Sequence, residues 1–171
     1  MQPEILFTRE EIEREVARLA GEISRDYRGK CPLLVGILKG SFVFMADLIR
    51  LLDIPVEVDF VILSSYGSGT ESSGEVKVIH GLEQSIEGKD VLIVEDIIDS
   101  GITLSHFLDD LRRRGPASLR LCVLVDKRAR REKDVPMDYI GVQVEDEFVV
   151  GYGIDCNEQF RYLPDLCHVK E

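Results

Sequence analysis

No stretch of the chain approaches the ~18–20 consecutive apolar residues that a membrane span needs. Residues 1–11, MQPEILFTREE, are acidic and carry no apolar run, so they do not read as a secretory signal. The four cysteines, Cys31, Cys122, Cys156 and Cys167, form no CxxC pair. Cys156, Cys167 and His168 have the wrong spacing for zinc. The thiols are expected to be reduced and partly buried, in a cytoplasmic protein. Basic residues are scarce: 21 Lys plus Arg against 32 Asp plus Glu give 21 − 32 = −11. That balance argues against a protein that works on nucleic-acid backbones or anionic membranes, where cationic excess supplies the affinity. It leaves room for a small anion held by backbone N–H groups, a metal or a few basic side chains. Neither the Walker pattern GxxxxGKS/T nor the dinucleotide pattern GxGxxG occurs, and there is no internal repeat, low-complexity tract or linker. With 171 residues, 44% of them apolar, the chain is expected to be one domain over residues 1–171 with a buried core.

The patterning then gives the elements. Thr8 followed by Glu11 is a capping-box signature, and Ile12, Val16, Leu19 and Ile23 follow at helical spacing. This predicts a first helix ending near residues 27–29. LLVGIL (33–38) is a continuous apolar run of the kind buried on both faces of a sheet. Lys39, Gly40 and Ser41 break it, with Ser41 as the expected cap of a second helix that stops before Pro55. Residues 56–65 are rich in β-branched side chains and predict a strand. Residues 66–74 are small and polar, and 75–82 alternate as a returning strand. Residues 64–80 are therefore expected to form a flap with a flexible tip. VLIVEDII (91–98) predicts another buried strand. Leu104, Phe107, Leu108 and Leu111 then give a helix one apolar face, stopped by Gly115 and Pro116. Residues 119–125, 139–144 and 148–154 complete the predicted strands. Alternation of buried strands with helices predicts an α/β fold with a central, mostly parallel, twisted sheet flanked by helices.

The chemistry concentrates in residues 91–103. An apolar strand ends in two adjacent carboxylates, Glu95 and Asp96. They should lie at the carboxyl edge of the sheet, where open α/β sheets bind ligands. Alternation along a strand sends neighbouring acids to opposite sides, which predicts different tasks for the two. The turn Ser100-Gly101 then feeds a helix whose first N–H groups lack partners, a ready anion site. The hydroxyls of Ser100 and Thr103 would add donors, and Gly101 would let the backbone approach a phosphate closely. Asp99 stands at the mouth, placed to handle a proton. Taken singly, each piece has an ordinary reading, as a solvated strand end or a helix cap. Together within thirteen residues on one buried strand, they read as a phosphate cradle.

The run of four apolar residues, Glu95-Asp96, two apolar residues, Asp99-Ser100-Gly101, one residue and Thr103 resembles the phosphoribosyl-pyrophosphate motif of type I phosphoribosyltransferases. GILKGSFVFMADL (36–48), SSYGSGTESSG (64–74), LVDKR (124–128) and DEFVVGYGID (146–155) with Arg161 narrow the resemblance to the hypoxanthine-guanine phosphoribosyltransferases. It runs over nearly the whole chain and implies that family's fold, with a small hood from the N- and C-terminal segments. It implies transfer of a 5-phosphoribosyl group from phosphoribosyl pyrophosphate to hypoxanthine or guanine, with Mg²⁺, in a homodimer or homotetramer. By the same resemblance, Glu95 and Asp96 engage the ribose hydroxyls and Mg²⁺, and Asp99 accepts the proton near purine N7. Ser100, Gly101, Ile102 and Thr103 hold the 5′-phosphate. Lys39 and Gly40 form the pyrophosphate loop, often with a strained or cis peptide before the lysine, and Arg161 is a second pyrophosphate contact. Lys127 donates to the oxygen on purine C6, Phe148 stacks on the ring, and the Val149 backbone reads its edge. Asp155 borders the purine pocket and approaches a second Mg²⁺. Ser65 and Tyr66 stand at the root of the flap. Cys156 departs from the family, where an aromatic residue is common beside the acid. Two rivals share some of these features: an enzyme taking xanthine or a pyrimidine, and a nucleotide-sensing RNA-binding regulator. Lys127 and Phe148 speak against a pyrimidine, and the net charge speaks against RNA.

Overall fold

The computed structural model describes residues 2–65 and 76–170. Strand β1 (Pro3–Phe7) leads into helix α1 (Arg9–Asp26), followed by β2 (Leu33–Leu38) and α2 (Phe42–Leu51). Next come β3 (Glu57–Ser65), β4 (Val76–His80), β5 (Asp90–Ile98) and α3 (Ile102–Arg113). The chain ends with β6 (Ser118–Lys127), a 3₁₀ turn at Arg128–Arg130, β7 (Tyr139–Val144), β8 (Val149–Val150) and β9 (Leu166–Val169).

Six strands form the main sheet in the order β4-β3-β2-β5-β6-β7. Every neighbouring pair is parallel except β3 with β4 at the edge. Alternation along the central strands feeds two cores. Leu34, Leu92, Val94, Cys122 and Leu124 face α1 and α2, packing with Ile12, Leu19, Ile23, Phe44 and Leu48. Leu33, Val35, Val91, Ile93, Leu121 and Val123 face the other side, against Phe107, Leu108 and Leu111 of α3. A sheet covered on both faces explains why these strands read as unbroken apolar runs. Parallel strands also deliver the carboxyl ends of β2, β3, β5 and β6 to one edge, where the candidate residues lie.

α1 begins as its sequence dictates: Thr8 Oγ1 accepts from the Glu11 N–H at 3.2 Å, and the Thr8 N–H donates to Glu11 Oε2 at 2.8 Å. α2 begins differently from expectation. Ser41 sits at the cap position, but its side chain makes no capping hydrogen bond. Its backbone is already helical there, and its hydroxyl is buried without a partner among the described residues. The strand expected over 148–154 shrinks to two residues. Gly151 (φ +93°), Tyr152 (φ 51°) and Gly153 (φ +95°) turn left-handed, which extended pairing does not allow. β8 instead joins β1 and β9 in a separate three-stranded sheet, ordered β1-β9-β8. His168 on β9 meets Glu4 on β1 at 2.9 Å. The four cysteines are free thiols, Cys122 and Cys167 buried and Cys31 exposed. Of the expected flap, β3 and β4 form an antiparallel pair, and Tyr66 and residues 67–75 lie outside the described residues. No described helix is long and apolar enough to cross a membrane.

Candidate active site

The site begins where the sheet splits. β5 pairs with β2 only as far as Val94, opposite Gly36, but stays with β6 up to Ile98, opposite Asp126. Glu95 and the residues after it therefore run past β2 with one flank open. β2 ends in a cis Leu38–Lys39 peptide and turns through Gly40. A side chain at Gly40 would run into the Asp96 carboxylate. The lysine loop and the acidic strand end thus touch without an intervening side chain.

Glu95 lines the cavity described below, while the Asp96 carboxylate lies against Gly40. The Asp96 N–H donates to Glu95 Oε1 at 3.0 Å, and the Ile97 N–H donates to Asp96 Oδ1 at 2.8 Å. Burial, and then the neighbouring Asp96 charge, hold the Glu95 carboxyl well above the usual carboxylate range. Two adjacent acids at the strand end form an oxygen-rich donor set that suits ribose hydroxyls, or a hard divalent cation once both are ionised. Among the described residues no group of three or more acids, histidines or cysteines converges to hold a metal by itself.

Beyond them, Glu95, Asp99, Ser100, Gly101 and Thr103 line one cavity of about 290 Å³, together with the apolar Ile37, Leu63 and Leu104. Asp99 is exposed at its rim, and Ile102 opens α3 half-buried. Ser100 and Gly101 also shape the turn itself. The Ser100 hydroxyl accepts from the Ile102 N–H at 3.3 Å, just before the start of α3. Gly101 has φ +81°, and a Cβ there would meet the Lys133 carbonyl at 2.6 Å and Arg131 Cδ at 3.1 Å. The missing side chain makes room for the chain behind the turn.

Lys127 is 4% exposed at the end of β6, one residue past the partner of Ile98. Its ammonium lies 3.9 Å from Asp146 Oδ1, and Arg130 Nε reaches the same oxygen at 2.7 Å. Phe148, two residues on, is 47% exposed, a solvent-facing ring. Its carbonyl accepts from Val169 N–H at 3.1 Å, while Val149 is buried in β8. The opposite wall carries the remaining charges. Lys39 Nζ lies 3.2 Å from both oxygens of Glu158. The Arg161 guanidinium spans Asp155 Oδ1 at 3.1 Å and Glu158 Oε1 at 3.4 Å. It also donates to the Gly153 carbonyl at 2.8 Å. Arg161 Nε is buried without a partner among the described residues. A Cβ at Gly153 would lie 2.6 Å from the Gly40 carbonyl, so this turn abuts the lysine loop. Asp155 belongs to this cationic wall and accepts from the Glu158 N–H at 2.8 Å. Ser65 ends β3 at the same sheet edge.

Sequence reasoning passed over two residues behind the turn, Asp126 and Arg131. The available signal was a carboxylate inside the apolar run of β6, which a folded protein keeps only with a partner.

Comparison with known proteins places this arrangement. The phosphoribosyl transferase domain family matches residues 4–157. A hypoxanthine-guanine phosphoribosyltransferase from Bacillus subtilis (strain 168) is 48% identical over 160 residues, covering 94% of this chain and 89% of that one. A hypoxanthine phosphoribosyltransferase from Salmonella typhimurium is 50% identical over 163 residues, covering 94% and 92%. Among solved structures, a hypoxanthine phosphoribosyltransferase from Staphylococcus aureus superposes with a TM-score of 0.94 at 46% identity, covering 98% of this chain and 91% of that one.

Proposed function

The chain belongs to the phosphoribosyl transferase family, among its hypoxanthine-guanine members, and from that premise we propose how its site works. The enzyme serves purine salvage. It transfers the 5-phosphoribosyl group of phosphoribosyl pyrophosphate to hypoxanthine or guanine and yields IMP or GMP plus pyrophosphate. One observation carries the assignment of roles: Glu95, Asp99, Ser100, Gly101 and Thr103 share a single cavity at a strand–turn–helix junction on the sheet's carboxyl edge.

A purine nitrogen attacks C1 of the sugar as the bond to pyrophosphate breaks, and the sugar develops oxocarbenium character. The amides of Ser100, Gly101, Ile102 and Thr103 hold the 5′-phosphate and fix C1. Glu95 and Asp96 hold the ribose hydroxyls. Asp99 takes the proton the purine nitrogen loses. Lys127 donates to the oxygen on C6, Phe148 stacks on the ring, and the Val149 backbone reads its edge, so the small sheet is a hood over the base. Lys39, Gly40 and Arg161 receive the departing pyrophosphate, and Asp155 orients Arg161. Glu95, Asp96 and Asp155 are the protein oxygens that would hold Mg²⁺ brought with the diphosphate, which would supply charge neutralisation on the leaving group.

The enzyme acts in the cytoplasm as a homodimer or homotetramer. A wide, mainly apolar groove between α1, α2 and residues 152–164, with exposed Phe42 and Leu51, supports that assembly. The test is a spectrophotometric assay with phosphoribosyl pyrophosphate and hypoxanthine, guanine or xanthine, with and without Mg²⁺. Conversion of hypoxanthine and guanine that stops when Mg²⁺ is chelated is expected. Turnover of xanthine alone, or of no purine, overturns the proposal.

A further inference from the structure

A turn holds a phosphate through its N–H groups only if those groups point at the phosphate. In a trans peptide the carbonyl of one residue and the N–H of the next point in opposite directions. Fixing the carbonyls of Asp99 and Ser100 therefore fixes the N–H groups of Ser100 and Gly101.

Both carbonyls are held from behind. Arg131 Nε donates to the Asp99 carbonyl at 3.1 Å. The backbone N–H groups of Glu132 and Lys133 donate to the Ser100 carbonyl at 2.9 and 3.0 Å. This strap, residues 131–133, lies flush against the turn because position 101 has no Cβ. Its own anchor is deep. Asp126 is 0% exposed, the most buried charged side chain of β6, and accepts from Arg131 Nη2 at 2.5 Å. Its second oxygen accepts from Arg128 Nε at 2.9 Å. An unpaired carboxylate at that depth would carry a heavy desolvation cost, so the Asp126–Arg131 pair stays closed. The guanidinium fork then has one edge on Asp126 and Nε on the turn, two tasks a lysine head cannot perform together.

We propose that Arg131, locked by Asp126, is a positioning residue for phosphoribosyl binding: it aims the N–H groups of residues 100 and 101 at the 5′-phosphate and sets the carboxylate of Asp99 at the cavity rim. This rests on the phosphoribosyl reading above. It predicts that Arg131 matters for ligands with a 5′-phosphate and not for those that occupy only the lysine loop. Charge–charge attraction between a bare guanidinium and any anion would not discriminate in that way.

The experiment is calorimetric titration of the full-length enzyme with IMP and, separately, with Mg²⁺-pyrophosphate, for the native protein, Arg131→Met and Arg131→Lys. Both variants are expected to lose about tenfold in IMP affinity, as for loss of a charge-assisted hydrogen bond. Pyrophosphate affinity is expected to stay within twofold. IMP affinity unchanged in either folded variant overturns the proposal, and so does an equal loss for both ligands, which would mark a merely structural role. Should Arg131→Met fail to fold, Arg131→Lys keeps the charge beside Asp126 and gives the same decision. Native enzyme that binds no IMP at all would sink the phosphoribosyl reading itself, and this inference with it.

Discussion

The turn at residues 99–101 and the loop carrying Lys39 lie at the same sheet edge, but they are braced in opposite ways. Behind the turn stand a fully buried carboxylate, two guanidinium groups and three donors on two backbone carbonyls. Around Lys39 the contacts are ion pairs between side chains: Lys39 and Glu158 are both largely exposed and pair with each other, and Glu158 also meets Arg161, which Asp155 holds. A site for a phosphate that remains through the reaction gains from fixed dipoles that need no reorganisation. A site for a leaving group gains from charges that can change partners. The difference in bracing therefore matches the difference in task.

The largest effect is expected from removing the proton acceptor that the braced turn presents. Asp99→Asn should lower kcat by about 10²-fold or more while shifting the KM for phosphoribosyl pyrophosphate far less. Steady-state kinetics at saturating purine would check this, and unchanged turnover would remove Asp99 from proton transfer. Next in size is Gly101→Ala. It forces a side chain into a left-handed residue against the Lys133 carbonyl at 2.6 Å. A loss of about 1–3 kcal/mol in stability is expected, read from denaturant unfolding, together with weaker IMP binding.

A smaller effect is expected from Glu95. Its folded carboxyl holds a proton that the unfolded chain has already released, because burial and Asp96 raise it. The stability it contributes is complete below the ordinary glutamate range and is lost as pH rises through the raised value. In metal-free buffer Glu95→Gln should flatten the fall of the melting temperature across that window, and an unchanged slope would contradict it. The smallest effect belongs to the open side. Glu158→Gln should change stability by under ~1 kcal/mol, since exposed ion pairs contribute little. A loss as large as that of Gly101→Ala would break the comparison.

Much of this was legible in the sequence, and the limits are physical. The Thr8–Glu11 box fixed the start of α1 because capping is local, and residues 33–38, 91–98 and 119–125 announced a sheet buried on both faces. The cluster of Glu95, Asp99, Ser100, Gly101 and Thr103 followed from one strand and one turn, so no long-range contact was needed to see it. β1 and β9 were not seen as strands, because they pair only with each other and with the two residues of β8, far apart in the chain. Ser41 was expected to cap α2, but the turn after Leu38 already places it in helical conformation. The strap behind Gly101 depends on Asp126, whose partner follows it at a spacing that no local periodicity marks.

The most direct measurement is the crystal structure of the enzyme with IMP. The phosphate is predicted to lie within hydrogen-bond reach, about 2.7–3.2 Å, of the backbone N–H groups of Ser100, Gly101, Ile102 and Thr103, with the Arg131 contacts to Asp126 and to the Asp99 carbonyl intact. A phosphate seated instead between Lys39 and Arg161, with the turn at residues 99–101 empty, would contradict the account.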